Sequence, residues 1–125
     1  MATLLGQVMN KPPEEGMTRV EQLIMEFIRF GIDHPYQYEI MFMIRDEELL
    51  AYCRAEQGRC FDLFSSIVRR HMKEEGYVSE DWQNVPLTLF LSAHGFISYY
   101  IQDKVSFEDV KEAASAHIKV LCRSL

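Results

Sequence analysis

The chain is expected to fold as an all-α domain of about five to six helices, and three observations predict this. Apolar residues recur at helical spacing along most of its length. No segment sustains the apolar–polar alternation of a half-buried strand. Helix start and stop residues, Thr, Ser or Asp on one side and Gly or Pro on the other, fall at the joints between the apolar stripes. With 125 residues, 48% of them apolar, one domain with a real core is expected and global disorder is excluded.

Residues 1–17 read as a lead-in or the remnant of a helix. Ten mildly apolar residues are followed by the break KPPEEG at 11–16. The domain proper is expected over 18–125. Thr18 and Glu21 have the spacing of a capping box, and Val20, Leu23, Ile24, Phe27 and Ile28 follow as one stripe. That helix stops at 31–34, and a second starts at once on Pro35. Proline suits a first helical turn, and it pushes the residue before it, His34, out of the α region. The short second helix is expected to reach about Ile44, with Tyr38, Met41 and Phe42 inward. Asp46 is suited to cap a long helix running to about Glu75, with Gly76 as its stop. Its stripe is Leu49, Cys53, Cys60, Phe64, Ile67 and His71, widened by Leu50, Phe61 and Val68. Gly58 sits inside it, where a bend or a close contact would account for it.

Ser79 opens the next helix in this reading, with Pro86 in a first turn or at a kink. Leu87, Phe90, Leu91, His94 and Ile97 share one face, widened by Leu89, Ala93, Phe96 and Tyr100. A helix so apolar all round is either central or covered by a partner. Ser106 with Asp109 caps the last helix, and Val105 with Val110 forms a hydrophobic staple. Val110, Ala114, His117 and Leu121 form a coiled-coil-like seam there, beside the small residues 113–116.

Charge and motifs narrow the function. A net charge of −6 and a pI near 5.2 argue against direct nucleic-acid binding, and Arg69, Arg70 and Lys73 run straight into Glu74 and Glu75. Three cysteines, Cys53, Cys60 and Cys122, without a secretory signal point to a reduced, cytoplasmic setting. No apolar run approaches the ~20 residues of a membrane span. There is no HExxH, CxxC or glycine-rich phosphate loop, so no metal ligand, cofactor or catalytic residue is assigned. Ser92 and His94 lie two apart on a helix and point to different sides. His94 keeps two readings: a buried histidine bonded to a neighbouring helix, with Gly95 permitting close packing, or a ligand contact in an internal pocket. Met and aromatic residues abound, and they suit either a core or an adaptable apolar cavity.

Two segments carry a resemblance. FIRFGIDHPYQYEIMF at 27–42 resembles the corner of the C-terminal domain of TetR-type transcriptional regulators, through Phe30, His34, Pro35, Tyr38, Met41 and Phe42. FLSAHGFISYYI at 90–101 resembles the tryptophan–histidine–glycine helix of one subgroup, through His94 and Gly95, with Phe90 where tryptophan is usual. The resemblance covers roughly 18–123. It implies a helical bundle whose last two long helices pair with a second copy into a four-helix bundle, around a pocket for an apolar or amphipathic small molecule. It implies pocket residues Phe27, Phe30, Met41, Phe64, Ile67 and His94. It implies homodimer contacts at Phe90, Ile97, Val110, Ala114, His117 and Leu121. DNA would be met only through an N-terminal helix-turn-helix, which is missing from this sequence. No enzymatic activity is expected. The alternative is a helical protein-interaction module with a solid core and no ligand.

Overall fold

The computed structural model describes residues 16–42, 47–74 and 84–123, apart from the side chains of 47–53 and 56. Among the described residues there are five α-helices, one short 3-10 turn and no strand. The helices are α1 (Arg19–Asp33), α2 (Pro35–Phe42), α3 (Glu47–Glu74), α4 (Asn84–Tyr100) and α5 (Phe107–Cys122), with the 3-10 turn Ile101–Asp103 between the last two. The opening decapeptide, the proposed cap at Asp46, the stop at Gly76 and the start at Ser79 lie outside the described residues.

α1 is the axis of the bundle and packs against each of the other four helices. Gly16 enters it with a φ of +82°, a left-handed conformation that glycine adopts without steric cost. The capping box is formed: the Thr18 N–H donates to Glu21 Oε1 at 3.0 Å, and the Glu21 N–H donates to Thr18 Oγ1 at 3.1 Å. Val20, Leu23, Ile24, Phe27 and Ile28 are all buried, as their spacing predicts. Met25 and Ile32 are buried as well, because α1 is surrounded rather than laid on a surface.

Two glycines inside helices behave in opposite ways. A Cβ built on Gly31 would stand 2.7 Å from two side-chain carbons of Ile97. Ile97 is itself fully buried on α4 and has nowhere to withdraw, so α1 and α4 meet only because Gly31 has no side chain. Gly58, by contrast, has nothing within 4 Å of a built Cβ, so no close contact explains it. Gly95 is equally open and exposed, so the expected close approach at His94–Gly95 is not there. That approach is at Gly31.

The orientation of α4 differs from the sequence expectation. Its buried face is Pro86, Leu89, Ala93 and Ile97, while Leu87 and Leu91 are 43% and 55% exposed. A helix apolar on every side offers no polar stripe to show which way it turns. α5 is better marked. Val110, Ala114 and Ile118 face inward, and the Ser106 N–H donates to Asp109 Oδ2 at 3.0 Å. The first amide of α5, on Phe107, donates to Asp33 Oδ1 at 2.8 Å, from the last residue of α1. Two carboxylates thus sit at the positive end of the α5 dipole. The buried Phe107 ring lies under the Arg29 guanidinium, 4.8 Å from its centroid.

These contacts generate two stability predictions. Gly31→Ala is expected to destabilise by about 1–3 kcal/mol through overpacking, whereas Gly58→Ala is expected to stabilise by about 0.5–1 kcal/mol through helix propensity. Urea denaturation of both variants checks this, and equal shifts would contradict it. Asp33→Ala is expected to cost about 1 kcal/mol by removing the cap on α5, and Asp33→Asn, which keeps an acceptor, less.

Candidate functional site

The α1–α2 corner positions the polar part of the candidate site. His34 leaves the helical region at φ −127°, ψ 61°, and its N–H donates to the Phe30 carbonyl at 2.8 Å. Pro35 then starts α2, and the Tyr38 N–H donates to the His34 carbonyl at 3.0 Å. This first turn drives the Tyr38 side chain into the core, where it is fully buried. The Tyr38 hydroxyl is hydrogen-bonded to His94 Nδ1 on α4. Burial raises the Tyr38 pKa, and Cys60 nearby adds to the shift. Burial lowers the His94 pKa below its ordinary 6.5. Tyr38 is therefore the donor and neutral His94 the acceptor, which leaves the proton on Nε2, 3.4 Å from Ser98 Oγ. His94 is thus half-buried and bonded to a neighbouring helix.

Around this pair lies a cluster of rings. Phe27 meets Tyr38, Phe42, Phe64 and Phe90 at centroid separations of 5.1–6.1 Å, mostly edge-on or tilted. Phe90 also meets Phe61 at 5.4 Å and Phe64 at 5.5 Å. Such aromatic pairs add about 0.5–1.5 kcal/mol each beyond their area. On the outer side of Phe90 a groove of about 300 Å³ opens between α2, α3 and α4. It is lined by Phe42, Arg54, Gln57, Gly58, Phe61, Leu87, Phe90 and Leu91. The Gln57 Nε2 donates to the Met41 carbonyl and ties the described end of α2 to α3. A second hollow of about 240 Å³ lies between the start of α1 and α5, and is lined by Glu21 and Lys119 among others.

The structure brings some of the expected pocket residues together and separates others. Phe27, Phe64 and Ile67 are closed in the core. Phe30 is half-buried against the His34 ring, at 5.1 Å. Met41 is half-buried, its carbonyl held by Gln57. His94 joins the cluster through Tyr38 and Phe42. None of the six lines the groove itself. Leu87 and Leu91 stood on the expected inward face of α4 and were not assigned to a pocket, because the turn of that helix was not legible, and Arg54 and Gln57 on α3 carried no sequence signal. Gly58 was the one signal available.

The expected dimer residues are divided between the core and its edge. Ile97, Val110 and Ala114 lie in the chain's own core, Ile97 against Gly31, and so present no surface to a second copy. Phe90 belongs to the ring cluster, and His117 and Leu121 are half-buried. The seam Val110–Ala114–His117–Leu121 thus turns inward. The outward stripe of α5 lies one residue back from it, at Ala113, Ala116 and the 66% exposed Val120. Tyr99 on α4 is 75% exposed. His117 hydrogen-bonds to the Ser92 backbone, while its Nε2 is buried with no partner among the described residues. Desolvation lowers its pKa, and the Ser92 backbone bond partly offsets that. Elsewhere, Glu74 pairs with Arg70 at 3.3 Å, so the charge run around His71 is a solvated helix face. Among the described residues no helix is long and apolar enough to cross a membrane.

The family model described as "Tetracyclin repressor-like, C-terminal domain" matches residues 20–121. No curated protein and no solved structure matches the chain.

The imidazoles make stability depend on pH. His94 and His117 both titrate below 6.5 in the folded chain. The unfolded chain therefore binds more protons as the pH falls through 6.5. Their contribution is complete above that value and is lost progressively below it, toward the folded-state values. Urea midpoints measured from about pH 7.5 down to about pH 5 are expected to fall, and His94→Asn to flatten part of the slope. A profile that rises on acidification contradicts the assignment.

Proposed function

The chain belongs to the tetracyclin repressor-like C-terminal domain family, and from that premise we propose that it is the effector-binding and dimerisation domain of a transcriptional regulator, working in the cytoplasm. The observation that carries the effector half is the groove outside Phe90. It is concave, largely apolar and edged by a few polar groups, as small-molecule sites are. Its walls also touch the moving parts the mechanism needs. Phe42 on α2 and Phe90 on α4 both pack on Phe27 of α1. An apolar or amphipathic molecule pressing on Phe42 bears on α2, which hinges on α1 at His34–Pro35. Such an effector acts only if it binds the two arrangements of that corner with different affinity. Changed spacing of two attached DNA-reading modules is then the output.

The dimer half rests on the outward faces of the last two helices. Ala113, Ala116 and Val120 on α5 form a stripe of small and apolar residues at helical spacing, and Gly95 and Tyr99 lie outward on α4. Small residues let two helices approach closely, so these two faces form the proposed seam of a four-helix bundle. The rival reading is an interaction module without a ligand, and the closed packing of Phe27, Phe64 and Ile67 favours it.

Two measurements test these readings. A melting-temperature screen against apolar and amphipathic compounds is expected to yield stabilising hits, since a ligand at a hundred times its Kd stabilises the fold by about 2.7 kcal/mol. A flat screen supports the rival. In sedimentation at tens of micromolar the chain is expected to run as a dimer, and Val120→Lys or Ala116→Leu as a weakened one. A monomeric wild type would refute the seam.

A further inference from the structure

Among the described residues lining the groove there is one charge, the Arg54 guanidinium. No acid stands with it, although the chain carries 19 acidic residues against 13 basic ones. Gln57 is neutral, and one of its two amide N–H groups is committed to the Met41 carbonyl. Arg54, Gly58 and Phe61 follow at i, i+4 and i+7, so they share one face of α3. Leu87, Phe90 and Leu91 follow at i, i+3 and i+4 and form the facing wall on α4.

The floor between the walls is Gly58. It sits near the middle of a 28-residue helix, where glycine weakens the helix. Its φ is not positive, and a Cβ there would meet nothing, so neither the backbone nor the packing of this chain calls for glycine. Gly31 shows the contrasting case, in which the fold does require the missing side chain. Among the described residues, the space over Gly58 lies beside a cation with no acid in the lining and between two apolar walls.

We infer that the groove takes an amphipathic carboxylate, with its head on Arg54 and its apolar body laid over Gly58 between Phe61 and the Leu87–Leu91 wall. This rests on the reading of the groove as the effector site and names the ligand class. Guanidinium matches a carboxylate in a two-pronged, charge-assisted hydrogen bond, whereas a neutral head gains only the weaker uncharged hydrogen bonds that Arg54 and Gln57 offer. Because Arg54 is exposed, water screens the pair, so the head selects and orients while the apolar body supplies most of the affinity. At about 300 Å³ the groove is at the small end of ligand sites, which calls for a ligand of modest size.

The test titrates decanoate and its neutral analogue decanamide into the wild-type, Arg54→Gln and Gly58→Leu proteins by calorimetry, with melting curves on each. Decanoate is expected to bind the wild type about fivefold tighter than decanamide, a preference sized for an exposed ion pair. Arg54→Gln should erase that preference and leave decanamide binding unchanged. Gly58→Leu should weaken both probes tenfold or more, although it melts no lower than the wild type. Equal binding of the two probes to the wild type, with both lost in Gly58→Leu, overturns the carboxylate assignment and leaves the groove as the effector site. Failure of both probes to bind, or binding that Gly58→Leu does not touch, overturns the groove reading as well.

Discussion

The absence of a side chain at Gly31 is the constraint on which the rest of the structure depends. α1 can touch all four other helices only if one crossing is close enough to keep the bundle compact. That crossing is Gly31 against Ile97. Ile97 fills the space with branched apolar atoms in place of a second backbone, so the contact is dense and holds α4 in one position. With α4 held there, Phe90 reaches the Phe27 ring and His94 reaches Tyr38. The ring cluster is thus a consequence of one small residue, three positions before the proline corner.

Polar contacts then lock both sides of that corner. Asp33, the last residue of α1, holds the first amide of α5. Tyr38, in the first turn of α2, holds His94 on α4. These residues are five apart in sequence, yet each bonds to a different helix of the C-terminal pair. A shift at the corner is therefore felt by α4 and α5 together. The Asp33 bond joins a charged acceptor to a helix end and tolerates water, while the Tyr38–His94 bond is largely buried, where an unmade bond costs about 1–3 kcal/mol. The second bond is the one that resists drift.

Much of the fold was legible in the sequence because its signals are local. Thr18 and Glu21, His34 and Pro35, and Ser106 and Asp109 each act within four residues, and all three joints stand where the sequence puts them. The stripe of α1 is equally local, since its polar side is clearly marked. The candidate site was less legible, and α4 shows why. When Leu87, Leu89, Phe90, Leu91 and Ala93 are all apolar, burial is decided by what the neighbouring helices present, and that information lies elsewhere in the chain. The stripe on α5 is ambiguous for a related reason. Seam spacing on α5 marks a face that packs on a helix, but not whether that helix is the chain's own α1 or a second copy's α4.

Gly31 and Gly58, two of the three described glycines inside helices, differ in what the fold gains from them. Gly31 is consistent at every level: the helix gives up propensity and gains a close crossing. Gly58 gives up the same propensity and gains nothing inside the chain. Sequences that specify one fold tend to agree with it position by position, and the places where they disagree tend to be sites. The disagreement at Gly58 lies on a helix that also carries Phe64 into the ring cluster, and through Phe27 that cluster reaches the corner. In the proposed reading, a molecule seated over Gly58 would press on rings that pack on α1 and α2. Dense packing at Gly31 would then carry such pressure to the corner, because a close-packed core answers a local push by moving an element as a unit.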